Sequence, residues 1–213
     1  MTPTEQSQHA LALCQMAPVI PVLVIDELAH ALPLAQALVA GGLPVLEVTL
    51  RTDCALEAIA AMSSVEGAVV GAGTVLSAAQ MEAAANAGAR FAVSPGATPA
   101  LIDAARVNNM PLLPGAQTCS EVMTLLEQGY SVQKFFPAEA IGGANALKSI
   151  AGPLPQVTFC PTGGISAERA PEYLKLPNIV CVGGSWVAPK DAMLAGDWQA
   201  IMALAEAACK LPR

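Results

Sequence analysis

Residues 19–42 read VIPVLVIDELAHALPLAQALVAGG, and this stretch decides the fold class. Residues 19–25 form a continuous apolar run of strand length, the pattern of a strand buried on both faces, which belongs to parallel sheets. Asp26 follows as a candidate cap for a helix running to about Ala40, where Gly41 and Gly42 stop it. The same unit then recurs. Strands are predicted at 45–50, 68–72, 91–94, 111–114, 132–136, 157–160 and 179–182. The matching helices lie at about 52–63 and 77–87, from near 98 and near 118, and then at 144–150 and 166–174. A C-terminal helical region breaks near Gly196, and residues 4–16 predict a leading helix with Thr4 as its cap.

Eight strand-then-helix units predict an α/β fold, a (β/α)8 TIM barrel with an extra N-terminal helix, forming one domain over 1–213. An open doubly wound sheet would carry its glycine-rich fingerprint after the first strand, where this chain has DELAH. The glycines instead cluster late, in PTGG (161–164) and VGGS (182–185). That is where such barrels build a phosphate site.

Composition bounds the function. Of 213 residues, 54% are hydrophobic and 13% charged, too few charges to cover a monomer, so apolar surface is expected to be hidden in an oligomer. A formal net charge of -7 and 4% aromatic content argue against a nucleic-acid partner. They leave room for a small phosphate ester held by backbone amides. The longest apolar region, 31–46, is broken by Gln36, Gly41, Gly42 and Pro44, so no membrane span is expected. The start MTPTEQSQHA lacks a basic region followed by an apolar core, and six scattered cysteines form no CxxC pair; reduced thiols in the cytoplasm are the expectation.

Within the predicted strand VQKFFP (132–137), Lys134 is a lone ammonium in an apolar run, closed by a proline that cannot continue a central ladder. An exposed edge-strand lysine is the ordinary explanation. The other lysines all fall in helix, helix-end, loop or tail sequence, however, and Lys134 reads as an amine nucleophile. In VLEVTLR (45–51), Leu46, Val48 and Leu50 share one face and Glu47, Thr49 and Arg51 the other. On an antiparallel strand the polar face would be wet. In a parallel barrel it lines the interior, near the active-site mouth.

A carboxylate and a lysine facing one cavity suit imine chemistry: the amine attacks a ketone while the carboxylate shuttles protons. Arg51 suits the carboxylate of a 2-oxo acid, with a surface salt bridge as the alternative. Thr74, Ser94 and Pro95 end strands three and four. Thr162 offers a hydroxyl, and the two glycine pairs offer amides. The two histidines, His9 and His30, fall in predicted helices, and no HxH, HExxH or CxxC spacing is present. That disfavours a divalent-metal aldolase or epimerase.

With these residues in place, the chain resembles the class I 2-keto-3-deoxy-6-phosphogluconate (KDPG) aldolases, which also act on 4-hydroxy-2-oxoglutarate (KHG). The resemblance runs through PVIPVLVI, AGGLPVLEVTLRT, VGAGTVL, SPG, PLLPG, KFFPAE, FCPTGGI and VGGSW. It implies a homotrimeric barrel in which Lys134 forms the Schiff base and Glu47 is the acid/base. Arg51 and Thr74 would hold the pyruvyl end, Pro95 and Phe136 would shape the pocket, and Thr162 would lie beside the substrate. Gly163, Gly164, Gly184 and Ser185 would hold phosphate. The implied partners are a phosphorylated 2-oxo sugar acid and pyruvate, with no metal or organic cofactor. Gln117 and Asp26 depart from many relatives at the acceptor end. Galactonate-type relatives, a non-catalytic phosphate-ester-binding barrel and a phosphosugar isomerase are the alternatives, and FFPAE with CPTGG looks closer to the gluconate type.

Overall fold

A run that is apolar on both faces needs a neighbour on every side, and residues 19–25 find one. In a computed structural model, which describes residues 1–212, the buried strand β1 (Val19–Leu23) pairs in parallel with β2 (Val45–Thr49) on one edge and with β9 (Val182–Gly184) on the other. Between these lie β3 (Val69–Gly73), β4 (Ala92–Val93), β5 (Leu112–Leu113), β6 (Gly115–Ala116), β7 (Val132–Phe135) and β8 (Thr158–Pro161), and every strand pairing is parallel.

The hydrogen-bonded ladder is not the single eight-strand ring expected from the sequence. It is a half-barrel of six strands, ordered β5-β4-β3-β2-β1-β9, beside a sheet of three, β6-β7-β8. One division falls at Pro114, between β5 and β6, because proline has no N–H for the ladder. Its carbonyl still accepts from the Lys134 N–H at 2.8 Å. The other division falls between β8 and β9, which are linked by the isolated bridges Phe159 to Ile179 and Thr162 to Gly183.

Alternation along the strands separates two apolar layers. Leu46 and Val48 face outward with Leu34, Leu38 and Ile59 from the helices. Val45, Ile20, Phe91, Val93, Leu113 and Val132 face inward. The N-terminal helix α1 (Pro3–Cys14) packs on that inner layer through Ala10 and Cys14. It is tied to the start of β7 by a hydrogen bond from the Val132 N–H to the Ser7 hydroxyl (2.9 Å), and to Tyr130, two residues before that strand, by one from the Tyr130 hydroxyl to Gln6 Oε1 (2.6 Å). The strands' N-terminal end is thereby covered.

The outer helices are α2 (Ala31–Ala40), α3 (Ala55–Met62), α4 (Ala78–Asn86), α5 (Pro99–Val107), α6 (Cys119–Glu127), α7 (Gly143–Ala151), α8 (Ala170–Leu174), α9 (Lys190–Ala195) and α10 (Trp198–Cys209). Ser77, Thr98 and Thr118, near which the sequence placed three helix starts, cap α4, α5 and α6 through their hydroxyls. Two caps differ. Thr2, not Thr4, caps α1, because only from Thr2 does Glu5 stand three residues on to complete a capping box. Asp26 caps nothing. A 3-10 turn, Leu28–His30, intervenes before α2, and the Asp26 carboxylate pairs with Lys190 Nζ at 2.8 Å.

Candidate active site

Glu47 sits in the middle of β2, facing inward between Val45 and Thr49, and is 3% exposed. Lys134 sits on β7 and is 5% exposed. Its Nζ donates to Glu47 Oε1 at 3.2 Å. With both side chains cut off from water, their interaction is weakly screened, and neither charge has solvent as an alternative partner. The Phe136 ring centroid lies 5.4 Å from Nζ, within cation–π range.

Space for the carboxylate depends on a missing side chain. A methyl at Gly73, on the neighbouring β3, would overlap Glu47 Oε1. Gly71 accommodates the Phe91 ring, whereas Gly73 makes room for a functional group. Thr49, the next inward residue on β2, is already satisfied, donating to the Leu23 carbonyl at 2.8 Å. Beyond the strand end, Arg51 Nε donates to Thr74 Oγ1 at 3.0 Å. Thr74 holds φ at 58°, a left-handed conformation that costs a β-branched residue about 1–3 kcal/mol.

Phe136 also lines a cavity of about 180 Å3 at the C-terminal ends of the strands. Around it stand Arg51, Thr162, Gly163, Gly164, Gly183, Gly184 and Ser185, with Val22, Val24 and Ile165 as its apolar wall. Gly163 and Gly164 adopt φ of 109° and 78°, and a side chain at Gly164 would run into Glu139. Positive φ at two successive residues is natural only to glycine. Thr162 Oγ1 is buried without a hydrogen-bond partner, and a methyl at Gly183 would collide with it. A buried hydroxyl left open beside a cavity is a group waiting for a ligand.

Of the residues singled out from the sequence, Lys134, Glu47 and Phe136 come together, and Phe136, Thr162, Arg51, both glycine pairs and Ser185 share the cavity. Thr74 reaches it only through Arg51. Pro95 does not line it; its carbonyl packs where any side chain at Gly115 would lie. Gln117 is exposed, and its N–H donates to Glu121.

Glu139, the last residue of KFFPAE, is not among the residues singled out from the sequence, yet it packs against the glycine loop. Its carboxylate accepts from both the Tyr173 hydroxyl and the Arg169 guanidinium. Its N–H donates to the Gly163 carbonyl at 3.1 Å. Burial first, and then the contact with Glu139, push the Tyr173 hydroxyl well above its ordinary pKa. Below the site, Cys160 is the register partner of Lys134 and packs with Cys14 and Cys181. Hydrogen bonds from Cys14 and then Cys181 hold the Cys160 thiol well below its usual range, and burial pushes Cys181 up.

Residues 11–204 match the family model described as KDPG and KHG aldolase. A KHG/KDPG aldolase of Escherichia coli K12 is 52% identical over 200 residues, which is 93% of this chain and 94% of that protein. The crystal structure of the 2-keto-3-deoxy-6-phosphogluconate aldolase of Zymomonas mobilis ZM4 with 3-phosphoglycerate superposes with a TM-score of 0.92 at 53% identity, covering 97% of this chain and 98% of that one. The KDPG aldolase of Legionella pneumophila, with pyruvate captured at low pH as a covalent carbinolamine intermediate, superposes at 0.91 with 49% identity, covering 94% and 98%.

Proposed function

The chain belongs to the KDPG and KHG aldolase family, and from that membership we infer how its residues divide the work. It is a class I, Schiff-base aldolase, a carbon–carbon lyase that cleaves 2-keto-3-deoxy-6-phosphogluconate to pyruvate and glyceraldehyde 3-phosphate. The observation that carries the assignment of roles is the buried contact between Lys134 Nζ and Glu47.

Lys134 attacks the C2 ketone, and Glu47 takes up and returns the protons as the carbinolamine loses water. The resulting iminium is an electron sink. Glu47 then removes the proton of the C4 hydroxyl, the C3–C4 bond breaks, and its electron pair flows into the iminium to give an enamine. Glyceraldehyde 3-phosphate leaves, and the enamine is protonated at C3 and hydrolysed to pyruvate. The carbinolamine captured in the Legionella protein is the first intermediate of this sequence.

Arg51, oriented by Thr74, holds the substrate carboxylate, and Phe136 shapes the pyruvyl pocket, with Pro95 behind it through its backbone packing on Gly115. The open Thr162 hydroxyl meets the bound substrate. Gly163, Gly164, Gly184 and Ser185 hold the phosphate by their amides and hydroxyl; the 3-phosphoglycerate in the Zymomonas structure supports a phosphorylated ligand. Cleavage of 4-hydroxy-2-oxoglutarate to pyruvate and glyoxylate goes with the same site, supported by the double name of the Escherichia coli relative.

The two sheets complete one (β/α)8 ring, a reading supported by the Pro114 and Thr162 links between them. The chain works as a homotrimer in the cytoplasm. Exposed Val107, Leu76, Leu194 and Met123 support association, and six free cysteines support a reducing compartment. Borohydride reduction in the presence of pyruvate tests the roles: label is expected on Lys134, and label on any other lysine, or none, overturns them.

A further inference from the structure

Cys14, Cys160 and Cys181 come from three separate elements, the last turn of α1, strand β8 and the residue before β9, yet their sulphurs all lie within 4.8 Å of one another. All three are buried, at 1%, 2% and 0% exposure, in the inner apolar layer. None is used in the aldol chemistry. Metal–sulphur bonds of about 2.3 Å arranged in a plane put the sulphurs about 4 Å apart, so the triangle needs only a small contraction to close on an ion.

We propose that Cys14, Cys160 and Cys181 form a three-sulphur binding site for a soft monovalent cation, with copper(I) as the ion whose chemistry fits. Among the described residues no histidine or carboxylate joins the three sulphurs at that distance. A structural zinc site takes four ligands, so zinc is left one short here, whereas soft thiolates select copper(I) at low coordination number. Charge points the same way. In an apolar layer an excess of charge is penalised, and a monovalent ion is neutralised when a single thiol ionises. Each S–H that ionises on binding passes its proton to solvent. Because Cys14 belongs to α1 and the other two to the strand layer, the ion would pin the helix to the strands.

The test is anaerobic titration of the reduced chain with copper(I) against bathocuproine disulfonate, using a C54A/C119A/C209A background in which only the three clustered thiols remain. One ion per chain is expected, with a rise in melting temperature on loading and a shell of three sulphurs in X-ray absorption. Cys14→Ala in that background should weaken binding at least 100-fold and abolish the rise. Should that variant misfold, Cys181→Ser, whose hydroxyl is a poor ligand for a soft ion, serves the same purpose. Failure of the background chain to compete for copper(I), a shell of two sulphurs, or unchanged affinity in a folded Cys14 or Cys181 variant would overturn the site.

Discussion

Lys134 and Glu47 touch at 3.2 Å although 87 positions separate them in the chain. Strands β1, β9 and β8 stand between theirs on one side and β3, β4 and the β5–β6 segment on the other. The contact therefore spans the interior from opposite walls. Its energetics follow from burial: removing one member strands the other charge away from water, at a cost of about 3–5 kcal/mol, whereas replacing both is close to neutral. Lys134→Met and Glu47→Gln should each lower stability in urea unfolding, and the double variant should recover most of the loss. Additive losses would show that the two groups are not coupled.

Glu47→Gln keeps the shape of the side chain and removes its ability to take a proton. Turnover of KDPG should fall about 10²–10⁴-fold, while borohydride still traps some pyruvate on Lys134. Lys134→Ala should trap none. A Glu47→Gln chain with near-normal turnover would place the acid/base elsewhere.

Gly73→Ala puts a methyl where Glu47 Oε1 now lies. The carboxylate must move, since the β2–β3 register fixes both backbones. The expectation is a drop in kcat of about 10-fold or more, equivalent to roughly 1.4 kcal/mol, with trapping on Lys134 retained. Gly71→Ala, which meets the Phe91 ring instead, should lower stability more than it alters the proton-transfer steps.

Glu139 links Tyr173 and Arg169 to the Gly163 backbone, so it positions the loop assigned to phosphate. Glu139→Gln should raise KM for the phosphorylated substrate by about 10-fold, or about 1.4 kcal/mol. Cleavage of 4-hydroxy-2-oxoglutarate, which carries no phosphate, should change much less. Equal effects on both substrates would mean that Glu139 serves the fold alone.

The start of α6 makes stability depend on pH. The Glu121 carboxylate accepts from the N–H groups of Thr118 (2.7 Å) and Gln117 (2.8 Å), and those bonds hold its pKa below the ordinary value of 4.5. A depressed carboxylate stabilises the fold above its unfolded pKa and loses that contribution as pH falls through the folded one. Glu121→Gln should therefore melt lower than the parent at pH 7, and the gap should shrink below pH 4.5. Thr118→Ala should cost about 1 kcal/mol. A gap that widens in acid would refute the sign.

Period and punctuation carried most of the architecture. The fully apolar 19–25, the alternation of 45–51 and the helix starts near Ser77, Thr98 and Thr118 are local patterns, set by which residues a strand or helix can bury or satisfy within a few positions. Lys134 was legible for the same reason, as a charge in a run too greasy to leave it unexplained. What local pattern could not supply was distance. That Lys134 meets Glu47, that Gly73 clears a carboxylate, that Glu139 braces the glycine loop and that three cysteines share a corner all depend on strands far apart in the chain being brought side by side. The cap of α1 is a different case, since Thr2 and Glu5 form a capping box within four residues and that pattern lies in the sequence itself. Side-chain chemistry along the chain named the groups; packing in three dimensions decided which of them touch, because contact between remote positions is a property of the assembled sheet and not of any one stretch.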